Sequence, residues 1–262
     1  MNKIMSINSA LFLIFVAVTL ILYGVIPQRF RKYVLLAASV FFYLMSSLRS
    51  FAFLLGTIIL TYLGGIILDS MNLREKDDLA RLAKEEKTAA KKAWQRKKRI
   101  ILSSALAINF LTLAVFKYLD SWFAAANSFL SSLGLSFSFP SLELLLPLGI
   151  SFYIFQTAGY LIDVYRGKTR AERGFLDYAI FACYFPQMIQ GPINRYSELS
   201  PQLKEGKKLS AENIRSGILL MMWGMLKKVF IADVLSPGVT AIYSNYQAYP
   251  GIIIFLGASM YC

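Results

Sequence analysis

Five residues between positions 149 and 163 recur at the spacing of one helical face. They are Gly149, Tyr153, Gln156, Tyr160 and Asp163, separated by four, three, four and three positions. Residues three or four apart share a face, so a continuous helix would carry them as one polar stripe. The surrounding segment is apolar, so we expect the stripe to face inward. Its phenol and amide groups can bond neighbouring helices or line a passage for a polar substrate, and the sequence leaves both roles open.

A second group of polar residues follows between Gln187 and Arg195, in a segment that Gly191-Pro192 interrupts. Gly-Pro fixes a turn here, and the Arg195 guanidinium can bind a phosphate or carboxylate through two parallel hydrogen bonds. A substrate path and a purely structural role both fit this segment. Together with the stripe, it supplies our candidates for a substrate path: Tyr153, Gln156, Tyr160, Gln187, Gly191, Pro192 and Arg195.

No pattern in the sequence offers a complete catalytic machine. The chain has no histidine, so these residues cannot supply a histidine base or a histidine metal ligand. Cys183 and Cys262 lie in apolar runs without metal-ligand spacing, so we predict no disulfide and no metal site. Because the sequence also lacks the common catalytic motifs, we name no catalytic residue in it. Asp163 and Arg166 are expected to form an ion pair that fixes a helix end.

The composition indicates a membrane protein. Of 262 residues, 56% are hydrophobic and only 16% are charged, whereas soluble domains have about 25% charged residues. The net charge is +13, but the basic residues fall between apolar runs. Membrane topology and anionic lipid explain that placement better than nucleic acid does. We therefore predict an all-α polytopic membrane protein that binds no nucleic acid.

The apolar runs predict the order of the membrane segments. A signal peptide is the alternative for the first run, but the run is too long and no small-residue cleavage site follows it. The charged interval 70–99 predicts one cytoplasmic helix, and helical spacing around Trp122 predicts a separate interfacial helix. An oblique helix is predicted over 214–235, ending at Pro237-Gly238. The predicted spans are 7–26, 33–47, 51–68, 100–117 and 142–164, with the start of another at 252–262.

Basic residues set the expected orientation, because cytoplasmic loops are enriched in Lys and Arg. A cytoplasmic turn at 29–32 places the N-terminus outside. The 70–99 interval then lies inside, the region around Trp122 outside, and the basic residues of 166–173 inside. Four assignments agree, so we predict a multi-pass membrane protein with its N-terminus outside.

The apolar stretch 175–193 is flanked by basic residues on both sides. A simple crossing would place one of the flanks, 166–173 or 195–208, outside. A segment that enters from the cytoplasm and returns avoids this, and Pro186 with Gly191-Pro192 supplies the breaks. We therefore predict a re-entrant segment over 175–193, with two ordinary short spans as the alternative.

The final predicted span contains only about eleven residues, whereas a crossing needs about twenty. We therefore expect the sequence to be the N-terminal part of a longer, C-terminally truncated domain.

Four strings, in this order and spacing, resemble the membrane-bound O-acyltransferase (MBOAT) family, and within it the bacterial branch similar to alginate O-acetyltransferases. The spans before position 142 match only in layout. The strings are LPLGISFYIFQTAGYLIDVYRG, FLDYAIFACYFPQMIQGPINRYSEL, GMLKKVFIADVLSP and YPGIIIFLGASMYC.

The resemblance implies an MBOAT-like helical bundle that transfers an acyl group, typically acetyl, to a hydroxyl of an envelope polysaccharide. It implies no bound cofactor. The donor, such as acetyl-CoA or an acyl carrier, would approach from the cytoplasm and the acceptor from outside. Membrane lipid and an extracytoplasmic acyl-handling protein are the other implied partners. In this family a histidine promotes hydroxyl attack, and the resemblance implies that it lies beyond position 262. We therefore expect these residues alone to be inactive. The resemblance also implies that the protein lies in the bacterial cytoplasmic membrane.

Two alternatives stay open at the level of sequence. Broken helices with a polar stripe also suit a transporter half or a flippase component, although no inverted repeat is visible. Within the same family, transfer of D-alanine to teichoic acid would use a different acyl group and a different acceptor.

Overall fold

The computed structural model describes residues 10–83, 85–134, 137–140, 146–188 and 191–261. Every regular element in these ranges is helical, which confirms the all-α prediction. The chain folds into two compact units, one ending at Lys207 and the other starting at Lys208.

The first unit begins with two apolar helices joined by a tight turn. Helix α1 spans Ala10–Val25 and α2 spans Arg31–Ser46, with a 3₁₀ turn at Gln28–Phe30 between them. These bounds agree with the predicted runs 7–26 and 33–47 to within a few residues, apart from positions 7–9, which lie outside the described residues.

Two much longer helices follow. Helix α3 spans Leu48–Arg81 and α4 spans Lys87–Ser132, and both are long and apolar enough to cross a membrane. The prediction of one helix over 70–99 was wrong, because α3 ends inside that interval. The separate interfacial helix around Trp122 was also wrong, since that region continues α4. A change in hydropathy does not by itself end a helix; only a break in backbone hydrogen bonding does.

Side-chain pairs explain why the charged interval breaks. Lys98 forms an ion pair with Glu75, and the Trp94 indole donates to Asp78 at 3.1 Å. In each pair, the two residues lie at equal distances along the sequence from about position 86. This is the pattern expected of two antiparallel helices joined by a turn there. Antiparallel pairing of α3 and α4 therefore requires a turn in a stretch whose residues all favour helix.

Helix α5, Ile150–Tyr165, packs against both α3 and α4. A Cβ on Gly65 would lie 2.7 Å from the Tyr160 hydroxyl, and one on Gly64 would lie 3.3 Å from Leu161. Glycines therefore let α5 approach α3 closely. Around Gly56, no atom of the described residues lies within 4 Å of a would-be Cβ, so Gly56 makes no such contact.

The stretch after α5 is broken into short helices. Helix α6 spans Phe175–Cys183, α7 spans Phe185–Met188 and α8 spans Tyr196–Glu205. The chain leaves helical geometry at Tyr184, two residues before Pro186. The breaks therefore fall close to where proline and Gly-Pro predict them.

Helix α6 runs alongside α2. We call the start of α6 the outer end of this segment and the break after α6 its inner end. At the outer end, the Lys32 ammonium bonds Asp177 at 2.6 Å. At the inner end, the Phe185 amide donates to the Ser39 hydroxyl at 3.2 Å, and the rings of Phe185 and Phe42 are 5.8 Å apart. Ten residues of α2 separate Lys32 from Phe42, so the chain travels inward by about 15 Å. That is half of a hydrocarbon layer of ~30 Å.

The chain then returns to the end at which it entered. The Tyr196 hydroxyl bonds the Glu172 carboxylate, which lies just before α6. At the end of α8, the Arg31 guanidinium donates to the carbonyls of Gly206 and Lys207 at 3.0 and 2.9 Å. We call α6, α7 and the chain leading back to α8 the hairpin. Its entering limb is α6, and its returning limb is the chain from Gly191 to the start of α8. Its two basic flanks lie at the same end of the unit.

The second unit is a short helical array. Helix α9 spans Ala211–Lys227, a π-helical turn spans Lys228–Ala232, α10 spans Asp233–Ser244 and α11 spans Gly251–Tyr261. The predicted break at Pro237-Gly238 was wrong, because α10 passes through it. Pro237 lacks the N–H that would bond the Asp233 carbonyl, and the π-helical turn changes the hydrogen-bond register just before that point.

Candidate functional site

The inner end of the hairpin exposes backbone groups that a continuous helix would satisfy. The Phe185 amide would bond the Phe181 carbonyl, but the break at Tyr184 separates them. Instead, Ser39 accepts from the Phe185 amide, and the Gln156 side chain donates to the Phe181 carbonyl at 2.9 Å. One hydroxyl and one amide therefore replace the lost helical bond.

Two of the predicted substrate-path residues meet at this break. Gln156 also donates to the Gln187 side-chain oxygen at 3.0 Å, and both glutamines are buried. Buried polar side chains are stable only when hydrogen-bonded, and this pair is. The stripe on α5 and the broken segment thus form one network, with Gln156 as its centre.

Glycines set the close packing around the network. Gly149 immediately precedes α5 and has φ +68°, and a Cβ there would lie 2.6 Å from the Met188 carbonyl oxygen. A Cβ on Gly191 would lie 2.6 Å from the Gln187 Cα, while the Gly191 amide donates to the Gln187 carbonyl at 2.9 Å. Neither position has room for a side chain.

An aromatic cluster packs beneath the two limbs of the hairpin. The ring of Tyr160 lies 4.7 Å from that of Tyr178 and 4.9 Å from that of Tyr196, centroid to centroid. The Tyr160 hydroxyl accepts from the Glu172 amide at 3.1 Å, and the Tyr178 hydroxyl donates to Thr61 at 2.7 Å. Tyr160 therefore has a packing role and a satisfied hydroxyl.

Two tyrosine hydroxyls in the interior have no such partner. Tyr43 and Tyr153 are both fully buried, and neither hydroxyl has a hydrogen-bond partner among the described residues. The Tyr43 hydroxyl lies 3.3 Å from the position of a Cβ on Gly149, beside the inner end of the hairpin. Tyr153 was a sequence candidate, whereas Tyr43 was missed because its apolar helix carries no polar stripe.

The last two candidates are on the returning limb. Pro192 and Arg195 are exposed, and Arg195 forms no ion pair among the described residues. Its carbonyl accepts from the amides of Glu198 and Leu199 at the start of α8. The guanidinium is therefore accessible, and its predicted role in a substrate path stays a prediction.

A polar cavity of about 250 Å³ lies where α3, α4 and α5 meet the loop after α5. We call it the basic cavity. Its charged lining residues are Asp69, Glu75, Lys76, Lys98, Arg166 and Arg170.

Two buried charges form one side of the basic cavity. Lys98 is 7% exposed and donates to Glu75 and, at 2.9 Å, to Asn72. Asp69 is 3% exposed and pairs with Arg170 at 3.5 Å and Arg173 at 3.2 Å. Each buried charge is thus compensated.

The predicted ion pair between Asp163 and Arg166 was wrong. Asp163 has no ion-pair partner among the described residues, and Arg166 lines the basic cavity. The acid that forms ion pairs at this end of α5 is Asp69. In the sequence, Asp69 falls between the predicted span 51–68 and the charged interval 70–99. An acid at the boundary of an apolar run was the signal that could have identified it.

Glu172 joins the two limbs at their common end. It pairs with Lys204 and accepts from Tyr196 and, at 2.9 Å, from the Gly174 amide. Burial raises the pKa of Glu172, but the Lys204 ammonium and these hydrogen bonds outweigh it and hold the pKa at about 2. At the other limb, the hydrogen bond to Asp177 raises the pKa of Lys32.

Comparison with known proteins identifies relatives over most of the chain. The chain is 32% identical over 234 residues to a probable alginate O-acetylase AlgI of Azotobacter vinelandii. The alignment covers 89% of this chain and 42% of the relative. The corresponding protein of Pseudomonas putida is 33% identical over 233 residues, covering 89% and 43%. The chain thus spans about two fifths of the length of the curated relatives it matches.

A relative with a different name also matches. The peptidoglycan O-acetyltransferase of Helicobacter pylori is 30% identical over 230 residues, covering 78% of this chain and 39% of the relative. No family model and no solved structure matches the chain. The chain is thus homologous to part of these O-acetyltransferases, which confirms the predicted resemblance to the alginate O-acetyltransferase branch.

Proposed function

We propose that this chain is part of a membrane-bound O-acyltransferase that acetylates hydroxyl groups of an envelope polysaccharide. The single observation that carries the proposal is the similarity to O-acetyltransferases over 89% of the chain. Acetylation of a polysaccharide needs a donor made inside the cell and an acceptor outside, so the enzyme must operate across the bilayer.

The hairpin supports this proposal from the structural side. Irregular backbone at membrane depth persists only where protein or a wet cavity satisfies it. Here Gln156 and Ser39 satisfy the broken backbone at a depth that would reach about half of a ~30 Å hydrocarbon layer. We propose that the hairpin lies in the membrane with both ends cytoplasmic, and that its inner end forms part of the wall between donor and acceptor.

Proton transfer is the step for which these residues offer no histidine. A polysaccharide hydroxyl attacks an acyl group only as its proton leaves, and a general base with a pKa near neutrality suits that step. The sequence has no histidine. We propose that the base lies in the part of the protein that corresponds to the remaining length of the relatives, and that Tyr153 and Arg195 contribute to the substrate path.

The proposal is tested by expressing the complete gene product in membranes and measuring alkali-labile acetyl esters on polysaccharide. Residues 1–262 alone serve as the matched control and should yield no esters above background. Supplying alginate and peptidoglycan glycan strands separately decides the acceptor, since relatives of both names match. If the complete protein acetylates neither these nor the host's own envelope polysaccharides, the proposed function is wrong.

A further inference from the structure

The basic cavity has the charge and size of a site for one phosphate group. Its lining contains four cationic side chains and two carboxylates, so its formal charge is +2. Its volume of about 250 Å³ is just below the range of about 300–1,000 Å³ for whole drug-sized ligands. A phosphate group fits within that space, and the rest of a larger ligand would extend through the opening.

Both carboxylates of the cavity are already engaged. Glu75 pairs with buried Lys98, and Asp69 pairs with Arg170 and Arg173. An entering anion would therefore meet neutralised carboxylates rather than bare ones. The Asp69 contacts use one nitrogen of each guanidinium, and each arginine has five N–H donors, so donors remain for a ligand.

Two further cations of the cavity have no carboxylate partner in the part of the chain that the structure describes. Lys76 and Arg166 are exposed and form no ion pair among the described residues. They approach the cavity from different elements, Lys76 from α3 and Arg166 from the end of α5. The arginine guanidinium binds phosphate through two parallel hydrogen bonds, and the lysine ammonium binds it as a compact charge. Together they therefore suit the oxygens of a phosphate group.

Three backbone amides at this end are already occupied. The amides of Arg166, Gly167 and Lys168 already bond the last carbonyls of α5, at 2.9 to 3.0 Å. A helix C-terminus also favours cations, so closing the end of α5 is one task of this basic loop. That task does not involve Lys76, which comes from another helix and faces the same cavity.

We propose that the basic cavity binds the phosphate group of an anionic ligand, either a soluble phosphate ester or an anionic lipid headgroup. Lys76 and Arg166, unpaired within the described ranges, would contact the phosphate, and Arg170 offers a third cation while it stays paired with Asp69. Binding does not depend on acetyl transfer, because every lining residue belongs to this chain.

Titration calorimetry of the full chain in detergent, with inorganic pyrophosphate as the probe, tests the soluble source. The double variant Lys76→Gln/Arg166→Gln should weaken binding at least about tenfold, because it removes two charge-assisted hydrogen bonds. The matched control is Arg74→Gln/Lys168→Gln, which removes the same charge from the same helix and loop at exposed positions outside the cavity lining. It should leave the affinity within about twofold, since long-range charge effects are screened at physiological salt.

A second arm tests the lipid source in nanodiscs that contain phosphatidylglycerol. If pyrophosphate does not bind, phosphatidylglycerol should be enriched around the wild type and the control pair but not around Lys76→Gln/Arg166→Gln. Melting temperatures verify folding, and the single change Arg166→Gln replaces the double variant if that unfolds. The proposal is overturned if neither probe binds, or if the control pair loses as much binding as the cavity pair.

Discussion

The inner end of the hairpin and the basic cavity are both polar, but they use polarity in opposite ways. At the inner end, Gln156, Ser39 and Gln187 are buried and satisfy one another or broken backbone. At the cavity, Lys76 and Arg166 are exposed and without an ion-pair partner among the described residues. Polar residues in an apolar chain therefore do not by themselves mark a ligand site; the test is whether protein already satisfies them.

The largest expected effect separates the two regions by packing. Gly149→Ala should lower the free energy of unfolding by about 3 kcal/mol or more, because a Cβ meets the Met188 carbonyl and the backbone is left-handed. At Gly167, with φ +69° beside the basic cavity, no atom of the described residues lies within 4 Å of a would-be Cβ. Gly167→Ala therefore measures the cost of the left-handed backbone alone, and should lower the free energy of unfolding by about 1–2 kcal/mol.

Thermal unfolding in detergent compares these two variants. Equal destabilisation by both would mean that the Gly149–Met188 contact adds nothing, and that the hairpin is not packed as tightly as described.

The hydrogen bonds at the break give the next largest effect. Gln156→Leu leaves the Phe181 carbonyl buried and unpaired, so it should cost about 1–3 kcal/mol. Gln187→Leu leaves Gln156 still bonded to Phe181 and should cost less. Melting temperatures that fall more for Gln187→Leu than for Gln156→Leu would contradict the role of Gln156 as a replacement for the helical bond.

A pH dependence should arise at the outer end of the hairpin. The pKa of Glu172 is about 2 in the folded protein, below its ordinary value of 4.5. Its stabilising effect is therefore complete above pH 4.5 and declines as the pH falls towards 2. The melting temperatures of wild type and Glu172→Gln should differ at pH 7, and the difference should shrink as the pH falls below 4.5 and vanish near pH 2. A difference that stays constant over this range would exclude the Glu172–Lys204 pair as its source.

The smallest expected change in stability comes from Tyr153. Its buried hydroxyl has no partner among the described residues, so Tyr153→Phe should change stability by less than about 1 kcal/mol. If the hydroxyl faces substrate, acetyl transfer by the complete protein falls while the melting temperature holds. Unchanged activity would leave Tyr153 with a packing role alone.

Periodicity and turn residues were enough to predict much of this fold. Apolar runs identified α1 and α2 closely, and the three-four spacing identified the inward face of α5. Proline and Gly-Pro marked the broken hairpin. Those features depend on local backbone preferences, which neighbouring residues in the sequence determine.

Contacts between distant residues were beyond the reach of those patterns. The break between α3 and α4 depends on pairs such as Lys98 with Glu75, whose own residues favour a continuous helix. Gln156 was correctly placed on the inward face, but its partner, the Phe181 carbonyl, is free only because a later residue breaks α6. The basic cavity was missed since its lining comes from three helices and a loop.

Accessibility labelling tests most directly whether the hairpin enters and leaves at one side of the membrane. Single cysteines replace Lys168 and Lys207, one beside each limb, in a Cys183→Ala/Cys262→Ser background, with Ser121→Cys as the control for the opposite side. An impermeant thiol reagent applied to oriented vesicles should label positions 168 and 207 from the cytoplasmic side and position 121 from the other. Labelling of positions 168 and 207 from opposite sides would contradict the re-entrant hairpin.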